Sequence, residues 1–167
     1  MADSVELYLI RHGLAAERGD DYPDDTKRPL TSRGIQRLKR EANGLVALDV
    51  SFDLILTSPL VRARQTAEII AAALPARPNI VNTDALAPGG SHAAIMDEFV
   101  KHARRARIAL VGHEPGIGEL AARLIGARQA ITFKKGAICR IDVRALPPTG
   151  PGQLRWFLTP KILRQIG

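Results

Sequence analysis

Four side chains suited to holding an anion interrupt apolar stretches of this sequence. Arg11 and His12 follow Leu9-Ile10, Arg62 follows Thr57-Ser58-Pro59-Leu60-Val61, and His113 follows Leu110-Val111-Gly112. None falls on the apolar stripe of a helical pattern, where a histidine is more often a satisfied core residue. A guanidinium presents a planar fork of donors that matches phosphate oxygens. A neutral imidazole is nucleophilic near neutral pH because its ordinary pKa is about 6.5. Two arginines and two histidines brought to one place would converge on an anion, a phosphate above all.

Bringing them together requires that each end a strand or open a helix on the same side of one sheet. Residues 5–10 are apolar and β-prone and run into Arg11-His12-Gly13, which predicts a first buried strand. A loop rich in Asp, Gly and Pro follows over 14–29. From Thr31, an N-cap, the spacing of Ile35, Leu38, Ala42, Leu45 and Leu48 is helical. Residues 52–56 form a second strand closed by Thr57-Ser58-Pro59, and Ala63, Ala67, Ile70, Ala71 and Leu74 mark one face of a second helix. The alternation continues with a weak strand over 80–82 and a helix over 91–103 that turns Ile95, Phe99 and Val100 inward. A strong strand over 108–111 and a helix carrying Ile117, Leu120, Ala121, Leu124 and Ile125 follow. Such a pattern predicts an α/β three-layer sandwich, with helices on both faces of a mainly parallel central sheet. Residues 137–143 and 154–158 flank Pro147-Pro148-Thr149-Gly150-Pro151-Gly152 and predict a C-terminal antiparallel hairpin at the sheet edge. Ligands of open α/β sheets bind outside the carboxyl ends of the strands, where the four residues stand.

Three segments carry a resemblance. Leu9-Ile10-Arg11-His12-Gly13 resembles the signature of the histidine phosphatase (phosphoglycerate mutase-like) superfamily, and Thr57-Ser58-Pro59-Leu60-Val61-Arg62-Ala63-Arg64-Gln65-Thr66-Ala67 resembles its second motif. Val111-Gly112-His113-Glu114-Pro115 resembles the third, and the order and spacing agree over essentially the whole chain. A single Arg-His-Gly triplet is a weak signal; three motifs in order are a strong one. The resemblance implies a single domain over 1–167, with His12 as the nucleophile that takes the phosphoryl group. It implies that Arg11 and Arg62 bind its oxygens, that His113 completes the pocket, and that no metal or cofactor is required. Gly13, Arg28 and Glu114 are further candidates for substrate contact. Glu114 could orient His113 or offer its backbone N–H, while Arg28 and Arg18, in the loop after the nucleophile, have the competing reading of solvated arginines. Asp20, Asp21, Asp24 and Asp25 read as a solvated loop rather than a cation site.

The chain departs from many members of that superfamily at one place. They carry a glutamate as general acid two residues beyond a leucine, and in Asp84-Ala85-Leu86-Ala87-Pro88-Gly89-Gly90 that position is Pro88. Loss of a general acid costs roughly 10²–10⁴-fold with a poor leaving group. An imidazole leaving from phosphohistidine is less demanding, because its nitrogen can be protonated directly. His92, close by, could donate a proton, although Ser91-His92 could equally open the next helix. Residues 75–107 also leave no room for a large helical insertion over the site. Together with Arg28-Pro29-Leu30-Thr31, these features resemble the short bacterial phosphohistidine phosphatases of the superfamily, and so imply a phosphorylated protein, a histidine phosphotransfer domain, as substrate. Two other readings stay open: a phosphatase of small phosphoesters, phosphoanhydrides or nucleotides, and a non-catalytic phosphate or phosphoprotein binder.

Bulk properties narrow the partners. A net charge of +7 and a pI near 10.2 favour acidic or phosphorylated ones. The basic residues are dispersed, aromatics make up only 4% of the chain and no nucleic-acid motif is present, so nucleic acid is not expected. No apolar run approaches the roughly 18 residues of a membrane span, and Met1-Ala2-Asp3-Ser4 lacks a leader's basic-then-apolar order, so a cytoplasmic protein is expected. The single cysteine, Cys139, lies in a strand pattern and reads as a small core residue.

Overall fold

The structure, a computed structural model, describes residues 4–167. The first four strands, β1 (Val5–Arg11), β2 (Leu54–Thr57), β3 (Asn79–Asn82) and β4 (Arg107–Gly112), run parallel. Helices α1 (Ser32–Ala47), α2 (Val61–Ala73) and α3 (His92–Lys101) connect them in turn, and α4 (Gly116–Ile125) follows β4. The chain closes with antiparallel β5 (Ile138–Val143) and β6 (Gln153–Leu158) and a short α5 (Pro160–Ile166). The strand order is β3-β2-β4-β1-β5-β6, with the β5–β6 hairpin at one edge as the sequence predicts.

Register brings three chain segments level at the top of the sheet. Arg11 pairs with Gly112 across β1 and β4, and Thr57 pairs with Val111 across β2 and β4. The residues just beyond these ends are His12, His113 and Ser58. His12 N–H donates to Gly112 O at 3.1 Å and Ser58 N–H to Val111 O at 3.0 Å, so the ladder continues into the loops that carry chemistry.

The period-2 alternation of strand side chains builds two cores. Leu7, Leu9, Leu54, Leu56, Ile108 and Leu110 face α3 and α4, meeting Ile95, Phe99, Ile117 and Leu120. Tyr8, Ile10, Ile55, Ala109 and Val111 face the other way, onto Ala42 and Leu45 of α1, Ala67 and Ile70 of α2, and Leu163 of α5. Cys139 is fully buried in the first core, where burial pushes its thiol up to about 12, the state of an inert packing residue.

Caps fall where side-chain chemistry allows them. Thr31 accepts from Gly34 N–H at 2.9 Å and Ser91 from Ala94 N–H at 3.1 Å, so Ser91 is the N-cap and His92 the first residue of α3. Two expectations need correction. Val100 is 60% exposed, because α3 buries Ile95 and Phe99 and the residue next to Phe99 lies about 100° around the helix. The sequence reading also missed α5, a helix of 7 residues whose one buried side chain, Leu163, leaves no periodic stripe to detect. Among the described residues, no helix is long and apolar enough to cross a membrane.

Candidate active site

His12 is 5% exposed, and its Nδ1 lies 2.8 Å from the carbonyl oxygen of Gly13. A carbonyl only accepts, so Nδ1 carries the hydrogen and Nε2 keeps the free lone pair. Burial pushes the imidazole down to about 3; the bond to Gly13 opposes this, and the charges of His113, Arg62 and Arg11 add to it. Desolvation is a larger cause than the neighbouring cations. His12 is thus a neutral, oriented base at neutral pH. Gly13 has both backbone groups committed, its N–H donating to Thr66 Oγ1 at 3.0 Å, and so acts by holding His12. A Cβ at Gly13 would lie 2.5 Å from Leu38 Cδ1, which explains the absence of a side chain there.

His113 stands opposite, its ring centroid 5.0 Å from that of His12. Its Nε2 lies 2.8 Å from Ser58 Oγ, which also accepts from Leu60 N–H at 3.2 Å. A hydroxyl that accepts from the backbone best spends its one hydrogen on Nε2, which makes Nδ1 of His113 the protonated nitrogen. Burial, followed by the charge of Arg62, pushes His113 down to about 4.

Arg62 sits in the first turn of α2 and is 2% exposed. Its Nη1 donates to the backbone oxygen of Asp25 at 2.9 Å and its Nη2 to Asp25 Oδ2 at 3.0 Å. Arg28 Nε donates to Asp25 Oδ1 at 3.0 Å, its Nη1 donates to Ala16 O at 2.7 Å, and Arg18 Nε lies 3.6 Å from the same carboxylate. Burial works to raise the Asp25 carboxyl, but hydrogen bonds from Arg28 and Arg62 and their charges outweigh it and hold it below the ordinary carboxylate value. The solvated-loop reading is therefore wrong for Asp25, a site residue that sequence reasoning missed, as it did Ser58 on His113 and Thr66 on Gly13. The only signal for Asp25 was its place in an acidic loop three residues before Arg28, and the partner that gives it meaning is 37 positions away. Arg28, with solvation as its competing sequence reading, is 7% exposed, while Arg18 is solvated with 80% of its side chain exposed.

Arg11 ends β1 and donates from Nη1 to Phe133 O at 2.8 Å. Five buried side-chain nitrogen or oxygen atoms among the described residues lack a partner, and three belong here: Arg11 Nε, Arg62 Nε and His113 Nδ1. All three are donors, as expected of a site built around an oxyanion. The cleft over them, about 420 Å³, is lined by Arg11, His12, Arg28, Arg62 and His113, with Glu17, Pro88, Glu114 and Lys135 at its sides. Glu114 does not orient His113. Its carboxylate accepts from Gly118 N–H at 2.8 Å and Phe133 N–H at 3.1 Å and ties α4 to the segment after it. His92 lies outside this cleft, in a neighbouring cavity of about 260 Å³ that shares Pro88, His113 and Glu114 with it.

Comparison with known proteins agrees with this geometry. Residues 7–87 match the family described as Histidine phosphatase superfamily (branch 1). Phosphohistidine phosphatase SixA of Escherichia coli is 27% identical over 158 residues, 93% of this chain and 94% of that protein. An uncharacterized protein of Picosynechococcus sp. is 49% identical over 120 residues, 70% of this chain and 71% of that protein. The solved structure of the protein histidine phosphatase SixA complexed with tungstate superposes with a TM-score of 0.83 at 26% identity, covering 94% of this chain and 98% of that one. On motifs, fold and relatives together, the chain belongs to the histidine phosphatase superfamily and is, within it, a SixA-like phosphatase, a hydrolase of phosphoryl groups.

Proposed function

We propose that this phosphatase acts on phosphohistidine carried by a signalling or phosphotransfer protein, through a covalent phosphohistidine at His12. The observation that carries the reading is the contact of His12 Nδ1 with Gly13 O, which leaves the Nε2 lone pair free on a residue that lines a donor-rich cleft. In the first step Nε2 attacks phosphorus, the substrate's P–N bond breaks as the P–Nε2 bond forms, and the leaving imidazole nitrogen takes a proton. Water then attacks phosphorus, the P–Nε2 bond breaks, and inorganic phosphate leaves with the lone pair restored to Nε2. Arg11 and Arg62 hold the equatorial oxygens, and His113 donates from Nδ1 to the charge that develops on them. Arg28 acts through Asp25 on Arg62.

Two further facts support the reading. Tungstate, held by the SixA structure, is a tetrahedral oxyanion like phosphate. The cleft offers Pro88 where an acid would serve an alkoxide, and Glu114 is occupied by backbone bonds, which suits a leaving group that is protonated without help. The other carboxyl group lining the cleft, exposed Glu17, favours a second reading, hydrolysis of small phosphoesters with Glu17 as proton donor.

The test is to trap the enzyme with a radiolabelled phosphohistidine protein and quench in alkali, where a phosphoramidate survives. We expect an acid-labile label on the wild type and none on His12→Ala. A wild type that turns substrate over without becoming labelled would overturn the covalent mechanism. Turnover of p-nitrophenyl phosphate or sugar phosphates alone, with loss in Glu17→Gln, would replace the first reading by the second.

A further inference from the structure

A second basic cleft, of about 580 Å³, lies beside the phosphoryl site and shares Arg11, Leu14 and Lys135 with it. Its cations come from four separate parts of the chain: Arg11 from β1, Arg37 from α1, Lys134 and Lys135 from the segment before β5, and Lys161 and Arg164 from α5. The two lysines at 134 and 135 and Lys161 are exposed. One carboxylate, Glu41, lines the cleft against these six cations. It is 3% exposed, its Oε2 has no partner, and Arg164 Nη1 is 3.5 Å from Oε1. Burial pushes Glu41 up to about 8 against the opposing charges of Arg164 and Arg37, so at neutral pH it is mostly the neutral acid and cancels little of the positive charge.

We infer that this cleft is a docking site for the acidic surface of the protein substrate, gripping carboxylates next to the phosphorylated side chain while that side chain reaches His12. The inference rests on the proposed protein substrate. Three features favour a protein face over a single small anion. The cations are spread over β1, α1, the 134–135 segment and α5, so they can engage several carboxylates at once. The cleft adjoins the phosphoryl site, Arg11 and Lys135 lining both, so a partner of protein size seated on one reaches the other. Charge complementarity of this kind speeds encounter and fixes orientation.

The test uses the full chain and its Lys134→Glu/Lys161→Glu variant, which alters exposed lysines outside the phosphoryl cleft. Two peptides carry the same phosphohistidine, one flanked by glutamates and one by glutamines. We expect the wild type to favour the acidic peptide by about tenfold in kcat/KM at low salt. The variant and high salt should both abolish that preference, with p-nitrophenyl phosphate turnover unchanged. Equal kcat/KM for the two peptides in the wild type, or a preference that survives the charge reversal, would overturn the inference. A separate binding arm uses the unphosphorylated acidic peptide, followed by fluorescence anisotropy. Weakening by about tenfold in the variant supports the cleft even if no phosphohistidine is hydrolysed, a result that would sink the substrate reading alone. Tight binding of an oligonucleotide with no peptide binding would overturn it.

Discussion

Two carboxylates, Asp25 and Glu41, both have arginines for neighbours, yet they differ in protonation. Asp25, on the loop before Arg28, keeps 43% of its side chain exposed and receives hydrogen bonds from Arg28 and Arg62. Glu41, in α1, is almost fully buried, has an unpartnered oxygen and meets Arg164 only at 3.5 Å. Asp25 is held below the ordinary carboxylate value, while Glu41 is pushed up to about 8. Nearby positive charge therefore does not by itself decide ionisation; the balance of desolvation against direct hydrogen bonds does. An ionised Asp25 orients Arg62 in the phosphoryl site. A mostly protonated Glu41 leaves the second cleft cationic.

The largest effect should come from removing the residue Asp25 serves. Arg62→Ala is expected to lower kcat/KM for a chromogenic phosphate by about 10²–10³ with normal folding, as loss of an oxyanion donor does. Unchanged efficiency would place Arg62 outside the pocket. Asp25→Ala should cost about tenfold by letting Arg62 move, and Asp25→Asn, which can still accept from Arg62, should recover part of it. Equal activity of Asp25→Ala and wild type would break the comparison, since Asp25 would then be as dispensable to catalysis as Glu41.

Glu41→Gln should instead leave turnover of small substrates intact and change how stability depends on pH. A folded-state pKa near 8, above the ordinary 4.5, means the native state binds more protons between those values. Stability contributed by Glu41 is thus present below 4.5 and lost as pH rises through 8. Thermal unfolding at several pH values should show this loss in the wild type and not in Glu41→Gln, with Tm separating by about 5 °C at the alkaline end, the size of a roughly 1–2 kcal/mol change. Parallel curves would remove the raised pKa. His12 and His113 have the opposite sign: their folded values of about 3 and 4 lie below 6.5, so their stability contribution is full above 6.5 and lost as pH falls towards those values. The smallest effect follows from the same shift. Between pH 8 and 5, imidazole protonation should change kcat/KM by less than about twofold once substrate ionisation is allowed for. An acid limb with an apparent pKa near 6.5 would contradict the buried setting of His12.

Much of this was legible in the chain itself. Alternating apolar runs predicted the strands because each face of a β-strand meets a different core, and the order of strand, helix and turn predicted the parallel sheet and its edge hairpin. The segments around His12, Arg62 and His113 were legible because each follows a strand, and strand ends on one side of a parallel sheet lie together. Val100 and α5 were not, since a lone apolar residue beside a stripe and a helix with one buried side chain leave no period to read.

What the sequence determined by itself was local: where strands stop, which residues cap helices, and that two arginines and two histidines stand where strands end or a helix opens. What only the tertiary structure decided was every property set by contact and burial in three dimensions. The tautomer of His12 came from the packing that seats it on its own neighbour's carbonyl, the meaning of Asp25 from an arginine 37 residues on, and the charge of Glu41 from burial against Gly136 and α5. Gly136, at φ +89°, leaves only 2.6 Å between a hypothetical Cβ and Glu41 Oε2, so the carboxyl lies where only a glycine leaves space. Protonation and hydrogen-bond state are set by three-dimensional surroundings, which residue type and spacing along a chain do not encode.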